Sequence, residues 1–501
     1  MISIILNRRE YEHDSYDLIK AFFHEERLIV TEDGVIDIEG MKKAYRLTAE
    51  DELRYTFRFQ MEEETMELEI TEPTKATLIH VNEAFLSKEK KENRNQFKRF
   101  LYHALASLTK KELPWGTLTG VRPTKLVLTR LEEGQTEEEI RQYMKEEYLC
   151  SDEKLDVSLQ ITKREFELLK QCDYQNGYSI YIGIPFCPTI CNYCSFASYS
   201  LEKHENVLGQ YLDALEKEII YASTCLSEKK LTTLYVGGGT PTSLDEEQLE
   251  RLLCMIKKNF DFSHMQEFTV EAGRPDSITR EKLKILKRYG VDRISINPQS
   301  MRQKTLDLIG RKHSVQQILD CYAMAREEGH ENINMDIILG LSGETVEDVA
   351  YTLEEIGKLN PDSLTVHTLA KKRAADLTIH KDKYKEYEAT NVGKMMELSI
   401  DFAKHHGYEP YYLYRQKNMT ENLENTGYAK HGKEGIYNIL IMEEKQTILA
   451  LGAGALSKFV FHDENRLERV ENVKSIRDYM ERIDEMIERK HNFIEKNRTI
   501  L

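Results

Sequence analysis

Three cysteines fall within eight residues, Cys187, Cys191 and Cys194, in the stretch YIGIPFCPTICNYCSFASYS (181–200), a C-x3-C-x2-C spacing. Thiolates are soft ligands suited to zinc, copper(I) or iron–sulfur clusters. A structural zinc site takes four ligands, usually as two separated pairs of cysteines. The other five cysteines, Cys150, Cys172, Cys225, Cys254 and Cys321, are scattered. His204 offers a fourth ligand, so zinc and unligated thiols stay open beside a cluster. Three thiolates hold three irons of a [4Fe–4S] cubane and leave the fourth iron open, and an open metal position is a feature of catalytic sites.

Further polar and glycine positions recur at the ends of strand-like runs. GGGTPT (237–242) contributes Gly237, Gly238, Gly239 and Thr240. Glycines admit close backbone approach to a ligand, and free backbone groups suit an amino group; a tight turn is the plain alternative. Glu271 closes TVEAG, Gln299 lies in INPQS, Arg311 in IGRKHS, and Asp336 and Gly340 in NMDIILGL. Taken singly, each polar residue is more often a cap or a surface group.

The elements that must position these residues alternate. YSIYIGI (178–184), TLYVGG (233–238), EFTVEAG (267–273), DRISINPQS (292–300), NINMDIILGL (332–341) and DSLTVHTLA (362–370) are strand-like, with helical periodicity between them. VLGQYLDALEKEIIYAS puts Leu208, Leu212, Leu215 and Ile219 on one helical face, and Gly290 stands where TREKLKILKRYG should stop. Alternation of this kind predicts an α/β fold with a parallel sheet, here a partial (β/α)6 TIM-like barrel. In such folds ligands sit at the C-terminal ends of the strands, where every unusual loop of this chain occurs.

The flanks read differently. Residues 1–170 are expected to form an α+β accessory domain: RYTFRFQMEEETMELEI alternates as an antiparallel hairpin, 94–111 is an amphipathic helix, and Trp115 anchors the loop LPWGTLTGVRPTK. The barrel is assigned to 171–380. Residues 381–501 are expected to form a small α+β cover, with a long helix, a β-like segment at 435–458 and a charged terminal helix. A net charge of −16 argues against bulk nucleic-acid binding. Mean hydropathy is −0.56, and no run of apolar residues is long enough to span a membrane. The start of the chain lacks a signal-peptide core, so a cytoplasmic location with reduced thiols is expected.

The cysteine loop, with Tyr193 before its third thiol, resembles that of the radical S-adenosylmethionine (SAM) enzymes, and the likeness runs through the following strands. IPFCPTICNYCSF, GGGTPT, YLDALEKEI, RISINPQS, IGRKHS, MDIILGL and LGAGALSK are similar to the oxygen-independent coproporphyrinogen III oxidase family. The N-terminal extension and EFTVEAGRPDSIT resemble its coproporphyrinogen dehydrogenase-like branch in Gram-positive bacteria. The resemblance implies a [4Fe–4S] cluster on Cys187, Cys191 and Cys194. It implies SAM held by Tyr181, Gly237, Gly238, Gly239, Thr240, Glu271, Gln299, Arg311, Asp336 and Gly340, with Tyr181, Gln299 and Arg311 closest to catalysis.

The implied reaction is oxidative decarboxylation of two propionates of coproporphyrinogen III to vinyl groups, giving protoporphyrinogen IX, with an external electron donor and acceptor. A porphyrinogen or haem-like substrate needs cations for its carboxylates. Lys371, Lys372, Arg373 and Arg415 are candidates, and Tyr408, Tyr411, Tyr412 and Tyr414 are aromatic surfaces for a macrocycle or for a core. The chain departs from the oxidases twice. Gly183 stands where they carry a His four residues before the first thiol, and Phe196 where they carry a further Cys. A haem chaperone, with His367 and His431 as axial ligands, or an enzyme modifying haem itself, are the alternative readings.

Overall fold

A computed structural model describes residues 1–24, 26–32, 52–74, 76–87, 89–120, 122–196, 198–370, 375–379, 391–415 and 423–498. The chain divides into two compact units, Met1–Gln160 and Ile161–Leu501.

In the first unit five strands lie in the order Leu28–Glu32, Ile2–Leu6, Tyr55–Met61, Thr65–Thr71, Thr77–Ala84. The expected hairpin is present, Tyr55–Met61 pairing antiparallel with Thr65–Thr71. Its alternation sends Phe57, Phe59, Met66, Leu68 and Ile70 to one face. There they meet Leu18 and Phe22 of the helix Glu12–Phe22 and Phe97 and Leu101 of the helix Lys90–Thr109. Trp115 is buried, as an anchoring residue should be.

The second unit is built on six parallel strands that are neighbours in sequence order: Gly177–Ile184, Lys230–Gly238, Glu267–Gly273, Arg293–Ile296, Ile333–Leu339 and Ser363–Thr368. These are the six expected barrel strands. Apolar side chains on their outer faces pack under the crossover helices, so the core is continuous from Ile180 to Val366. Several of the helices that follow strands begin with a reciprocal cap: Asp245 with Gln248, Ser314 with Gln317 and Thr345 with Asp348. Each such box satisfies backbone N–H groups that the helix cannot.

Strands from the last third of the chain extend both edges of this sheet. Thr447–Leu451 pairs parallel with Gly177–Ile184, and Leu456–Phe461 and Arg466–Glu471 follow antiparallel. At the other edge Asn425–Ala429 runs antiparallel to Ser363–Thr368 and to Glu409–Tyr414. The segment 435–458, read as β-like, instead opens with a helix, Ile436–Glu443. That helix is apolar around most of its circumference, with Tyr437, Ile439 and Leu440 buried, and periodicity does not separate such a run from a buried strand. Among the described residues no helix is long and apolar enough to cross a membrane.

Candidate active site

The first barrel strand delivers Cys187 just beyond its end, where Phe186–Cys187 pairs with Tyr199–Ser200. The rest of the loop is pinned to the segment before Arg311. The Asn192 amide N–H donates to the Ile309 carbonyl (3.1 Å), Asn192 Nδ2 to Leu308 O (3.0 Å) and Thr189 Oγ1 to Gly310 O (3.3 Å). Burial, with Cys194 and Cys191 nearby, pushes the Cys187 thiol up to about 11. A bound metal reverses that preference, because its charge favours the thiolate. Among the described residues no three His, Cys, Asp or Glu side chains close on one point as ligands of a single ion do. The ligands of a cubane bind different irons and stand farther apart. His204 faces Ser200 O and the Tyr199 ring rather than the thiols, among the described residues.

The glycine loop lies directly on the cysteine strand. Gly239 N donates to Ile184 O (2.8 Å), Thr240 N to Phe186 O (2.8 Å), and Thr240 Oγ1 reaches Cys187 Sγ (3.5 Å). Gly238 has φ +109°, a conformation that excludes most side chains. The glycines thus admit neighbouring backbone as well as any ligand.

The polar residues converge at the same end of the sheet. Register sets Tyr181 beside Tyr235, and their rings stack with that of Tyr437, the closest pair being Tyr235 and Tyr437 at 4.6 Å. Tyr235 donates its phenolic hydrogen to Glu271 Oε1 at 2.5 Å. Burial, aided by the charge of Asp336, pushes the Glu271 carboxyl up to about 7. Burial acts on Asp336 too, but His367, 3.7 Å away, and Asn334 Nδ2, at 2.6 Å, outweigh it and hold that carboxyl below its usual range. Two adjacent carboxyls are thereby driven apart in protonation.

Gln299 takes φ +64°, rare for a residue with a side chain. It is fixed there from both sides: its N–H donates to Asp336 O (2.9 Å), and Ile338 N donates to its carbonyl (3.1 Å). Arg311 bridges the fourth strand and the cysteine loop through Asn297 O (2.6 Å) and Tyr193 Oη (3.3 Å). Gly340, φ +82°, turns the chain after the fifth strand.

The residues expected to meet a substrate do not share one location. Tyr408 donates to Pro361 O (2.7 Å), ahead of the sixth strand and so at the opposite end of the sheet. Tyr411 and Tyr412 are buried in core packing. Arg415 follows a strand parallel to the sixth, which places it at the site end. Lys371, Lys372 and Arg373 lie outside the described residues. Sequence reasoning passed over Tyr235, Tyr437, Arg274 and His313. Tyr235 had a signal, since period-2 alternation puts it on the face of Gly237.

Residues 181–356 match the Radical SAM superfamily. The oxygen-independent coproporphyrinogen-III oxidase-like protein HemZ of Bacillus subtilis (strain 168) is 44% identical over 400 residues, 79% of each chain. The chain belongs to the oxygen-independent coproporphyrinogen III oxidase family of radical SAM proteins. Heme chaperone HemW of the same organism is 33% identical over 310 residues, 61% of this chain and 76% of that one. Coproporphyrinogen III oxidase from Escherichia coli, solved as a radical SAM enzyme, superposes with a TM-score of 0.51 at 25% identity, covering 64% of this chain and 72% of the other.

Radical SAM proteins work with a [4Fe–4S] cluster and SAM. The residues here suit both. Three soft thiols share one loop, and Ser295 Oγ, Asn297 Oδ1, Gln299 Oε1 and Arg311 Nε are buried with no hydrogen-bonding partner among the described residues. Buried polar atoms are costly when unpaired, and four of them, three on or just after the fourth strand and one on Arg311, which reaches back to Asn297, fit a polar cofactor that completes them.

Proposed function

We propose that this protein decarboxylates coproporphyrinogen III without oxygen, converting two propionates to vinyl groups and yielding protoporphyrinogen IX. The observation that carries the chemistry is the set of buried polar atoms without a partner among the described residues, Ser295 Oγ, Asn297 Oδ1, Gln299 Oε1 and Arg311 Nε, with Arg311 bonded to the loop of the three thiols through Tyr193. The substrate class rests on the likeness to coproporphyrinogen oxidases.

In this reading Cys187, Cys191 and Cys194 hold the cluster. Backbone groups of Gly237, Gly238, Gly239 and Thr240 receive the amino group of SAM, and Arg311 its carboxylate, for which a guanidinium is well shaped. Glu271 and Asp336 take ribose hydroxyls, Gln299 the methionine side, and Gly340 opens the strand end to the purine. Bound together, the two cofactors supply a one-electron cleavage that yields an oxidant able to take hydrogen from an unactivated carbon. Each propionate loses a hydrogen atom from its β-carbon, then CO2 and one electron, and the electron passes to an external acceptor. Tyr181, walled by Tyr235 and Tyr437, keeps water from the reacting carbon. In the same reading Arg415, at the site end of its strand, meets a propionate.

The test supplies reconstituted protein with coproporphyrinogen III, SAM and reductant under anaerobic conditions. Vinyl products formed with 5′-deoxyadenosine support the proposal. Deoxyadenosine without change in the porphyrinogen points to another substrate, haem included. Tight haem binding without turnover favours a chaperone, although His367 is engaged by Asp336, and His431 Nδ1 by Arg164 at 2.8 Å. Retention of the brown chromophore after replacing Cys187, Cys191 and Cys194 by Ala rejects the cluster assignment.

A further inference from the structure

A buried guanidinium lies behind the cysteine loop. Arg274 follows Gly273, whose φ of +53° turns the chain off the third strand. Its backbone is held on both sides: its N–H donates to Ala272 O (2.6 Å), and its carbonyl accepts from Ser277 N (3.0 Å) and Ser277 Oγ (2.8 Å). The side chain, 4% exposed, is as closely determined. Nε donates to Asp276 Oδ1 (2.9 Å), Nη2 to Asp276 Oδ2 (2.7 Å) and Nη1 to Thr189 O (2.7 Å). The same Nη1 stands 3.8 Å from Cys191 Sγ. Behind the pair, His313 Nδ1 is 3.7 Å from Asp276 Oδ1, on a ring with no exposure at all.

A clamp on the loop needs only the Thr189 carbonyl. The paired bonds to Asp276 do more, because a two-pronged contact fixes the plane of the guanidinium and with it the direction of the Nη1 hydrogens. One of those hydrogens faces sulfur. Hydrogen bonds and charges at cluster sulfurs are recognised levers on reduction potential.

We propose that Arg274, oriented by Asp276, is a positioning residue that donates to the Cys191 thiolate and sets the reduction potential of the cluster. Donation from a cation draws electron density from the sulfur and favours the reduced, more negative cluster. Asp276 offsets part of that charge, so the pair holds the potential between two extremes. The inference rests on the cysteine loop holding a cluster, as assigned above.

The experiment reconstitutes the full chain, counts iron and sulfide, and follows the reduced cluster by electron paramagnetic resonance in a potentiometric titration. R274Q removes the cation and is expected to shift the midpoint to more negative values. D276N leaves the cation without its counter-ion and is expected to shift it to more positive values. R274K keeps charge without the fork and should fall between wild type and R274Q. Equal midpoints in wild type and R274Q, or shifts of R274Q and D276N in the same direction, overturn the proposal, since mere loosening of the loop affects both alike. If R274Q does not load, D276N decides: an unchanged or more negative midpoint overturns it. A wild-type protein that takes up no cluster rejects the cysteine assignment instead.

Discussion

Gly239 packs on Phe186 with no room for a side chain: a β-carbon at 239 would stand 2.6 Å from the Phe186 carbonyl oxygen and 2.8 Å from its amide nitrogen. The obstacle is backbone, which has no rotamer to escape into. Gly239→Ala is therefore expected to push the glycine loop off the cysteine strand. Overpacking of this kind costs about 1–3 kcal/mol, and iron content after reconstitution should fall with it. Gly237→Ala is the control. Its β-carbon meets mainly the Tyr235 and Glu271 side chains, at 2.8 Å and 3.0 Å, so any displacement falls on that pair rather than on the cysteine strand. Thermal melting with iron analysis of both variants checks the contrast.

Gly183, where the oxidases carry His, is not forced to be glycine. It has no left-handed φ, and a β-carbon there would find Leu451 O at 3.4 Å and Tyr181 Cε1 at 3.5 Å, ordinary contacts. Gly183→Ala is expected to leave stability unchanged or to raise it by about 0.4–1 kcal/mol, through the unfolded chain. Gly183→His should load its cluster as wild type does. General acid–base groups contribute about 10²–10⁴-fold, and a decarboxylation rate raised toward the lower figure identifies the missing imidazole as limiting. Tm, iron content and vinyl formation measured on both variants separate a folding effect from a chemical one.

The barrel was legible because each of its strands is a short apolar run ended by a turn signal, and because its chemistry sits at strand ends. The three thiols stood out by their spacing and the glycine loop by its composition, whereas Glu271, Gln299 and Asp336, each near a strand end, were singled out together only by the family resemblance. Arg274 was not, since a lone arginine before a proline carries no periodicity and its meaning depends on Asp276 and the loop at Thr189. Tyr437 was missed for a related reason. It lies on a helix whose apolar run imitates a strand, and its neighbours Tyr181 and Tyr235 are brought to it only by the sheet. Contacts between segments far apart in sequence leave no local signal, whereas caps, turns and spacing do.

Glu218 and Lys490 show the same limit and carry a prediction. Both side chains have no exposure, and Lys490 Nζ donates to Glu218 Oε1 at 2.7 Å and to Asn472 Oδ1 at 2.5 Å. Glu218 Oε2 also accepts from Gly452 N (2.8 Å) and Tyr479 Oη (2.6 Å). The terminal helix Ile483–Asn497 is thus tied to the turn after strand Thr447–Leu451. Removing one partner of a buried pair strands the other charge, at a cost of about 3–5 kcal/mol. Lys490→Met is expected to destabilise by that order in denaturant unfolding. The double variant Glu218→Gln/Lys490→Met should recover part of the loss, and a purely additive result would deny the coupling.

Glu344 makes stability depend on pH. It lies buried after the fifth strand, accepts a hydrogen bond from Ser300 Oγ, and burial pushes its carboxyl up to about 7 from an ordinary 4.5. Between those values the folded chain keeps the proton and the unfolded chain releases it. Stability therefore falls as pH rises through that window, and levels off above about 7, where the folded chain must carry a buried carboxylate. The full swing is on the order of 3 kcal/mol. Glu271, raised to about 7 chiefly by burial, adds in the same direction. Glu344→Gln keeps an acceptor for Ser300 and cannot ionise. Its denaturant midpoint is expected to drop less between pH 5.5 and pH 8 than that of wild type, and parallel pH profiles for the two proteins would show that Glu344 does not titrate as its burial requires.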